Sequence, residues 1–222
     1  MSRRIKPTPP PPEPHPSPLR ADAERNRLRI LTAAREAFAQ RGLDVTIDDI
    51  ARQAGVGVGT AYRRFANREE LVEAVFEEVA EHLIALAEEA LTHEDPWDGL
   101  VQFFLTTAEN FAKDRGLREA LLEGLHGKVR VAAARDRLIP AVSAVIARAQ
   151  QAGRLRDDFE ATDFPLIQLM LGAVTEHSRS VAPDVWRRYF VLFLDGLRHD
   201  RDHPTPLPHR ALDKHEFDQT MA

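Results

Sequence analysis

Thr60, Tyr62, Arg63 and Arg64 fall within five residues of one another with no acid between them, and Arg68 comes soon after. Hydroxyl and guanidinium groups this close together are hydrogen-bond donors for phosphate oxygens and base edges; they suit binding to a polyanion rather than breaking a bond. Bond-making chemistry finds little support elsewhere. The chain has no His/Glu pair at metal spacing, no glycine loop shaped for a phosphate and no nucleophile elbow. The absence of cysteine excludes disulfides, thiolate metal sites and cysteine nucleophiles. Glu176 beside His177, or Asp163 with His126, is the most that can be drawn as an acid–base pair. His199, His203, His209 and His215 match no ordered ligand spacing. No enzyme, metal or cofactor is expected.

The donors sit in a stretch, 46–65, that reads as two short helices around a glycine turn. Ile47, Ile50, Ala51 and Ala54 recur at helical spacing, which gives the first helix one apolar face. Thr46 is a good N-cap, with Asp49 three residues on in the place of a capping-box acid. Gly55 stands where the helix must end in a left-handed residue. A second helix then carries Thr60, Tyr62, Arg63 and Arg64. Two helices joined in this way form a helix-turn-helix, whose second helix enters the DNA major groove. A preceding helix over 21–41 is predicted to cover the pair from behind with Leu28, Leu31, Ala34 and Phe38, flanked by Ile30 and Ala37.

Ile50-Ala51-x-x-Ala54-Gly55-Val56-x-x-Gly59-Thr60-x-Tyr62-x-x-Phe65, ahead of Asn67-Arg68-Glu69-Glu70-Leu71, resembles the DNA-binding domain of the TetR family of bacterial transcription regulators. The resemblance implies roles. Thr46 would cap the second helix and touch a phosphate. Val58, Gly59 and Thr60 would face base edges, Tyr62, Arg63 and Arg64 would reach phosphates or bases, and Arg68 would contact the DNA backbone. Two residues depart from the pattern: Gly57 stands where a Ser cap is frequent, and Arg64 where a His is common.

The net charge of −5 suits a DNA binder only once it is divided along the chain. Residues 1–19 carry three bases and one acid, residues 20–70 ten arginines and eight acids, and the remainder 17 bases and 26 acids, so the cation excess lies beside the reader helix. The 26 arginines against four lysines fit a genome rich in G and C and say nothing about function. Hydrophobic residues make up 43% of the 222, enough for a real core. No run of 18 apolar residues and no signal-like start occurs, so a cytoplasmic protein without membrane contact is expected.

An all-α fold is predicted. Residues 1–20 hold eight of the 15 prolines and read as a disordered arm, and 199–222 as a disordered tail. Between them lie a DNA-binding domain over 21–82 and a ligand-binding and dimerisation domain over 83–198. Helices are expected at 68–91, capped by Asn67; from Asp95-Pro96-Trp97 onward; at 116–125; at 131–152, with Pro140 as kink or true start; at 163–178; and at 184–198.

The last two helices are apolar all round, which demands burial on every side. Phe164, Ile167, Leu171, Val174, Trp186, Tyr189, Phe190, Phe193 and Leu197 are therefore the expected homodimer interface, with Gly172 and Ala173 allowing close approach. A twofold dimer places its reader helices about 34–36 Å apart, as a near-palindromic DNA operator requires. The family resemblance implies that a small-molecule effector, unidentified, releases a repressor from that operator. Phe103, Phe104, Thr107, Leu121, Leu125, His126, Met170, Glu176 and His177 are its candidate pocket, aromatic walls with a few polar groups. A DNA-binding dimer that senses nothing is the alternative.

Overall fold

The computed structural model describes residues 18–113, 129–199, 210 and 213–216. Residues 1–17 of the arm expected over 1–20, the helix expected at 116–125 with Leu121, Leu125 and His126, and most of the tail lie outside the described residues; residues 18–20, expected in the arm, instead open the first helix. Within them the fold is helical, in the order α1 (Pro18–Arg41), α2 (Ile47–Ala54), α3 (Val58–Tyr62), α4 (Arg68–Thr92), α5 (Pro96–Lys113), α6 (Val129–Gln151), α7 (Asp163–Ser178) and α8 (Trp186–Leu197). Among these residues extended pairing is limited to a bridge between Leu155 and Arg198. Among the described residues no helix is long and apolar enough to cross a membrane.

Local chemistry starts and stops these helices. Thr46 accepts a hydrogen bond from the Asp49 amide, and Asn67 accepts one from the Glu70 amide at 2.8 Å. Asp95 Oδ1 accepts from the Trp97 amide at 2.7 Å, with Pro96 opening α5. Gly55 ends α2 at φ 63°, where its amide reaches the Ala51 and Arg52 carbonyls. Pro140 lies inside α6 without ending it. α8 begins at Trp186 rather than at 184, because the preceding chain is held by tight turns such as Val185 N–H to Ala182 O (3.1 Å) and Arg187 N–H to Asp184 O (3.1 Å).

Two apolar cores result. The head core gathers Ile30, Leu31, Ala34, Ala37 and Phe38 of α1, the apolar face of α2, Ala61, Phe65, and Leu71 to Ala80 of α4, together with Val131 and Ala134 of α6. Leu28 is a correction: it is 50% exposed, because the buried face of α1 turns through Ile30 and Leu31 and leaves Leu28 on the solvent side. The bundle core gathers Ala87 and Ala90 of α4, Trp97 to Ala108 of α5, Val142 to Ala149 of α6, and the inner faces of α7 and α8. Phe164 stacks on Phe103 with centroids 5.1 Å apart and tilts against Phe104 at 4.8 Å.

That packing corrects the expected interface. Phe164, Ile167, Leu171, Trp186, Phe190 and Leu197 are buried within their own protomer and present no surface to a partner. A helix apolar all round needs two neighbours, and the bundle supplies one of them on the face these six occupy. Val174 and Phe193 are half-buried, and Tyr189 is exposed. The tail is corrected too: Lys214–Glu216 form a helical turn against the bundle.

Where α4 ends and α5 begins, backbones approach closely. Arg148 of α6 donates to the Ala90 carbonyl (3.4 Å) and to that of His93, satisfying the last turn of α4. A methyl group on Gly99 would run into the Ala90 carbonyl oxygen, and backbone there cannot give way. Gly99→Ala is therefore expected to lower unfolding stability by about 1–3 kcal/mol in denaturant melts. Gly55→Ala, strained at φ 63° and meeting only the flexible end of Arg29, should lose about 1 kcal/mol.

Candidate nucleic-acid interface

α3 is only five residues long, so its position must be set by the residues that anchor it and its exit. Ala61 is fully buried and Phe65 nearly so, which pins one side of the helix and its exit to the head core. The chain turns immediately after Tyr62: the Arg64 and Phe65 amides both donate to the Ala61 carbonyl, at 2.9 Å each. Arg63 and Arg64 thus stand on the closing turn rather than on the helix proper, because Phe65 has to double back into the core.

This arrangement leaves a continuous exposed face of Val58, Gly59, Tyr62, Arg63 and Arg64, with Thr60 half-buried at its edge. Arg63 donates to the Thr60 hydroxyl at 3.0 Å, so the two act as one donor unit. Tyr62 is 47% exposed; the negative charge of Asp48, which also accepts its hydrogen bond, holds the phenol above its ordinary range. The phenol therefore keeps its proton, which Asp48 holds, and offers outward its oxygen lone pairs and ring face. Nothing lies within 4 Å of a Cβ placed on Gly59, and the surface there is open for close approach.

Two expected contacts are placed differently. The Thr46 hydroxyl donates to Asp49 Oδ2 at 2.7 Å while accepting from the Asp49 amide, so its proton is engaged in the cap and not directed at a phosphate. That bond, with Arg52 behind it, holds the Asp49 carboxyl below the usual carboxylate range. Arg68 is half-buried and both of its donating nitrogens point to the Leu43 carbonyl, Nε at 2.7 Å. It is a positioning residue: it ties the start of α4 to the loop entering α2 and so fixes the angle of the helix-turn-helix.

A second feature lies at the seam of the two cores. A cavity of about 160 Å³ is bounded by Phe76, Val79, Ala80 and Leu83 of α4, Phe111 of α5, Arg135 to Val142 of α6, Ala161 to Pro165 around the start of α7, and Lys214. The described members of the expected pocket lie elsewhere. Phe103, Phe104 and Thr107 are fully packed core, Thr107 donating to the Phe103 carbonyl at 2.7 Å. Met170, Glu176 and His177 are exposed, Glu176 paired with Arg179 at 2.9 Å and His177 Nδ1 lying 3.1 Å from the Ala173 carbonyl. Phe164, expected at the interface, lines the cavity instead. The spacings 76, 79, 80, 83 and 135, 138, 139, 142 were open to view in the sequence, but a cavity wall and a core stripe share that period.

Fold and exposed donor face together define a helix-turn-helix DNA-binding regulator. Comparison with known proteins agrees. The family described as bacterial regulatory proteins, tetR family, matches residues 30–75, and the C-terminal domain of SbtR-like transcriptional regulators matches residues 95–199. The crystal structure of a TetR transcription regulatory protein from Mycobacterium vanbaalenii is 35% identical, with a TM-score of 0.60 over 82% of this chain and 99% of that one. The regulator SCO0520 from Streptomyces coelicolor is 30% identical, with a TM-score of 0.61 over 79% and 99%. The transcriptional regulator UidR of Escherichia coli is 27% identical over 78% of this chain and 89% of its own length. The chain belongs to the TetR family and is a DNA-binding transcriptional regulator.

Gly59→Ala should separate folding from binding. The methyl group meets nothing in the protein, and alanine gains up to about 1 kcal/mol of helix propensity, so thermal stability should hold or rise. DNA affinity, read by gel shift, should fall because the close approach is lost.

Proposed function

We propose that the protein is a homodimeric repressor that binds a near-palindromic operator and is released from it by a small apolar effector. The observation that carries this reading is the cavity lying on α4 between head core and bundle core. α4 runs unbroken from the reader to the cavity, and Val131 and Ala134 of α6 insert into the head core, a few residues from cavity-lining Arg135 and Leu138. A ligand that binds better to one spacing of the heads shifts the population toward it and weakens DNA binding to the same extent. A regulator that senses nothing would have a core filled by side chains at this seam.

Dimerisation is supported by the outer faces of α7 and α8. Met170 is 47% exposed, Tyr189 43% and Leu192 57%, with Val174 and Phe193 half-buried beside them. They recur at helical spacing on two adjacent helices, an apolar surface of the kind that marks an interface. The interface is thus Met170, Val174, Tyr189, Leu192 and Phe193 rather than the six residues buried in the protomer. Val58, Gly59, Thr60, Tyr62, Arg63 and Arg64 contact the operator.

Binding-site mapping and then gel shift on the recovered DNA tests the reading. Leu192→Glu should sediment as a monomer and bind the operator about 10²-fold more weakly, since the linked second half-site is lost. Arg64→Ala should weaken binding on all sequences and reduce the salt slope by about one. Ala161→Leu, which fills the cavity, should bind the operator normally yet resist release by every compound in a neutral apolar panel that frees the parent. A monomeric parent, or a filled cavity that still responds, refutes the reading.

A further inference from the structure

Residues 213–216, with Arg210, form a clasp. The Glu216 amide donates to Asp213 Oδ1 at 2.9 Å, and the Asp213 amide returns a bond to Glu216 Oε2 at 3.1 Å. This is a reciprocal capping box around one helical turn. Arg210 grips the same carboxylate with both guanidinium nitrogens, at 2.6 and 2.7 Å. That bidentate hold brings the Glu216 carboxyl down to about 2, so the clasp persists through the ordinary acid range.

The clasp reaches the bundle through Lys214. Its ammonium meets Asp136 of α6 at 2.6 Å, and the same residue lines the seam cavity. Asp136 is the neighbour of Arg135, another lining residue. The cavity surface is almost entirely hydrocarbon, so Lys214 contributes its stem to the wall while its charge extends past the rim. Among the described lining residues, Lys214 alone comes from beyond α8.

We propose that the 213–216 clasp is a strap that completes and closes the seam cavity, latched by the Lys214–Asp136 pair, and that the ligand beneath it is a compact neutral apolar molecule. The strap rests on reading the cavity as the effector site. A volume of about 160 Å³ accommodates a single ring. An ionised ligand would lose its hydration against a wall with almost no polar surface. Both partners of the latch are exposed, so it is weak enough to open and sensitive to salt.

The natural chain has no cysteine, so Val142→Cys in the full-length protein gives a single thiol on the buried wall. Its rate of modification by N-ethylmaleimide reports opening without any ligand. Lys214→Ala and Asp136→Asn should each speed modification about two- to fivefold, the range that an exposed pair can carry. The exchanged pair Lys214→Asp with Asp136→Lys should restore the parent rate, and 0.5 M salt should speed the parent but not the single variants. A second thiol, Ala161→Cys, should give the same ranking. Toluene should slow the labelling and benzoate should not. Equal rates in all variants overturn the strap, and equal protection by benzoate, or none by toluene, overturns the ligand class. Gating observed without operator release by any apolar compound would instead count against the effector reading and leave the strap standing.

Discussion

Helix α4 has one face buried along nearly its whole length, but against two different sets of neighbours, and the rest of the structure depends on that division. Its first half, from Leu71 to Ala80, belongs to the core that holds the reader; Ala87 and Ala90 belong to the bundle. Because the helix is continuous over Arg68–Thr92, neither core can shift without moving the other. The seam where the two sets of contacts meet is also where packing is incomplete, and the cavity lies there. Close-packed interiors transmit displacement and have few intermediate arrangements, so a void at this point is where a ligand would have most leverage.

The DNA face depends on the same economy of anchoring. α3 contributes donors on a helix too short to hold itself, and Ala61 and Phe65 supply its fixed side. Arg68, whose charge first suggests a contact to DNA, instead bonds the Leu43 carbonyl and sets how α4 meets the loop before α2. Thr46 likewise works inward, as the cap of α2. The residues that shape the reader and those that face outward are therefore distinct sets, although both include hydroxyls and arginines.

Much of the architecture was legible residue by residue. Capping residues Thr46, Asn67 and Asp95 and the stop at Gly55 are local chemistry, and each is found where it was expected. Pro140 was ambiguous, since a proline can open or bend a helix, and burial of Val142, Val145 and Ile146 beyond it keeps α6 in one piece. The pocket and the interface were the least legible parts. Phe103 and Phe104 look like ligand walls because aromatic residues line ligand sites, yet Phe164 fills the space between them and the cavity forms one helix face away.

The sequence by itself determined the helical class and the helix-turn-helix, because each rests on spacing within a few turns of chain, and the resemblance of that motif pointed to the family. Only the tertiary structure decided which apolar residues of α7 and α8 face inward, that Arg68 and Thr46 turn toward the protein, and that Lys214 lines the seam cavity. The physical reason is that periodicity tells which face of a helix is apolar but not what covers it. Where a helix is apolar on every face, only the packing of its neighbours separates core from cavity and cavity from interface.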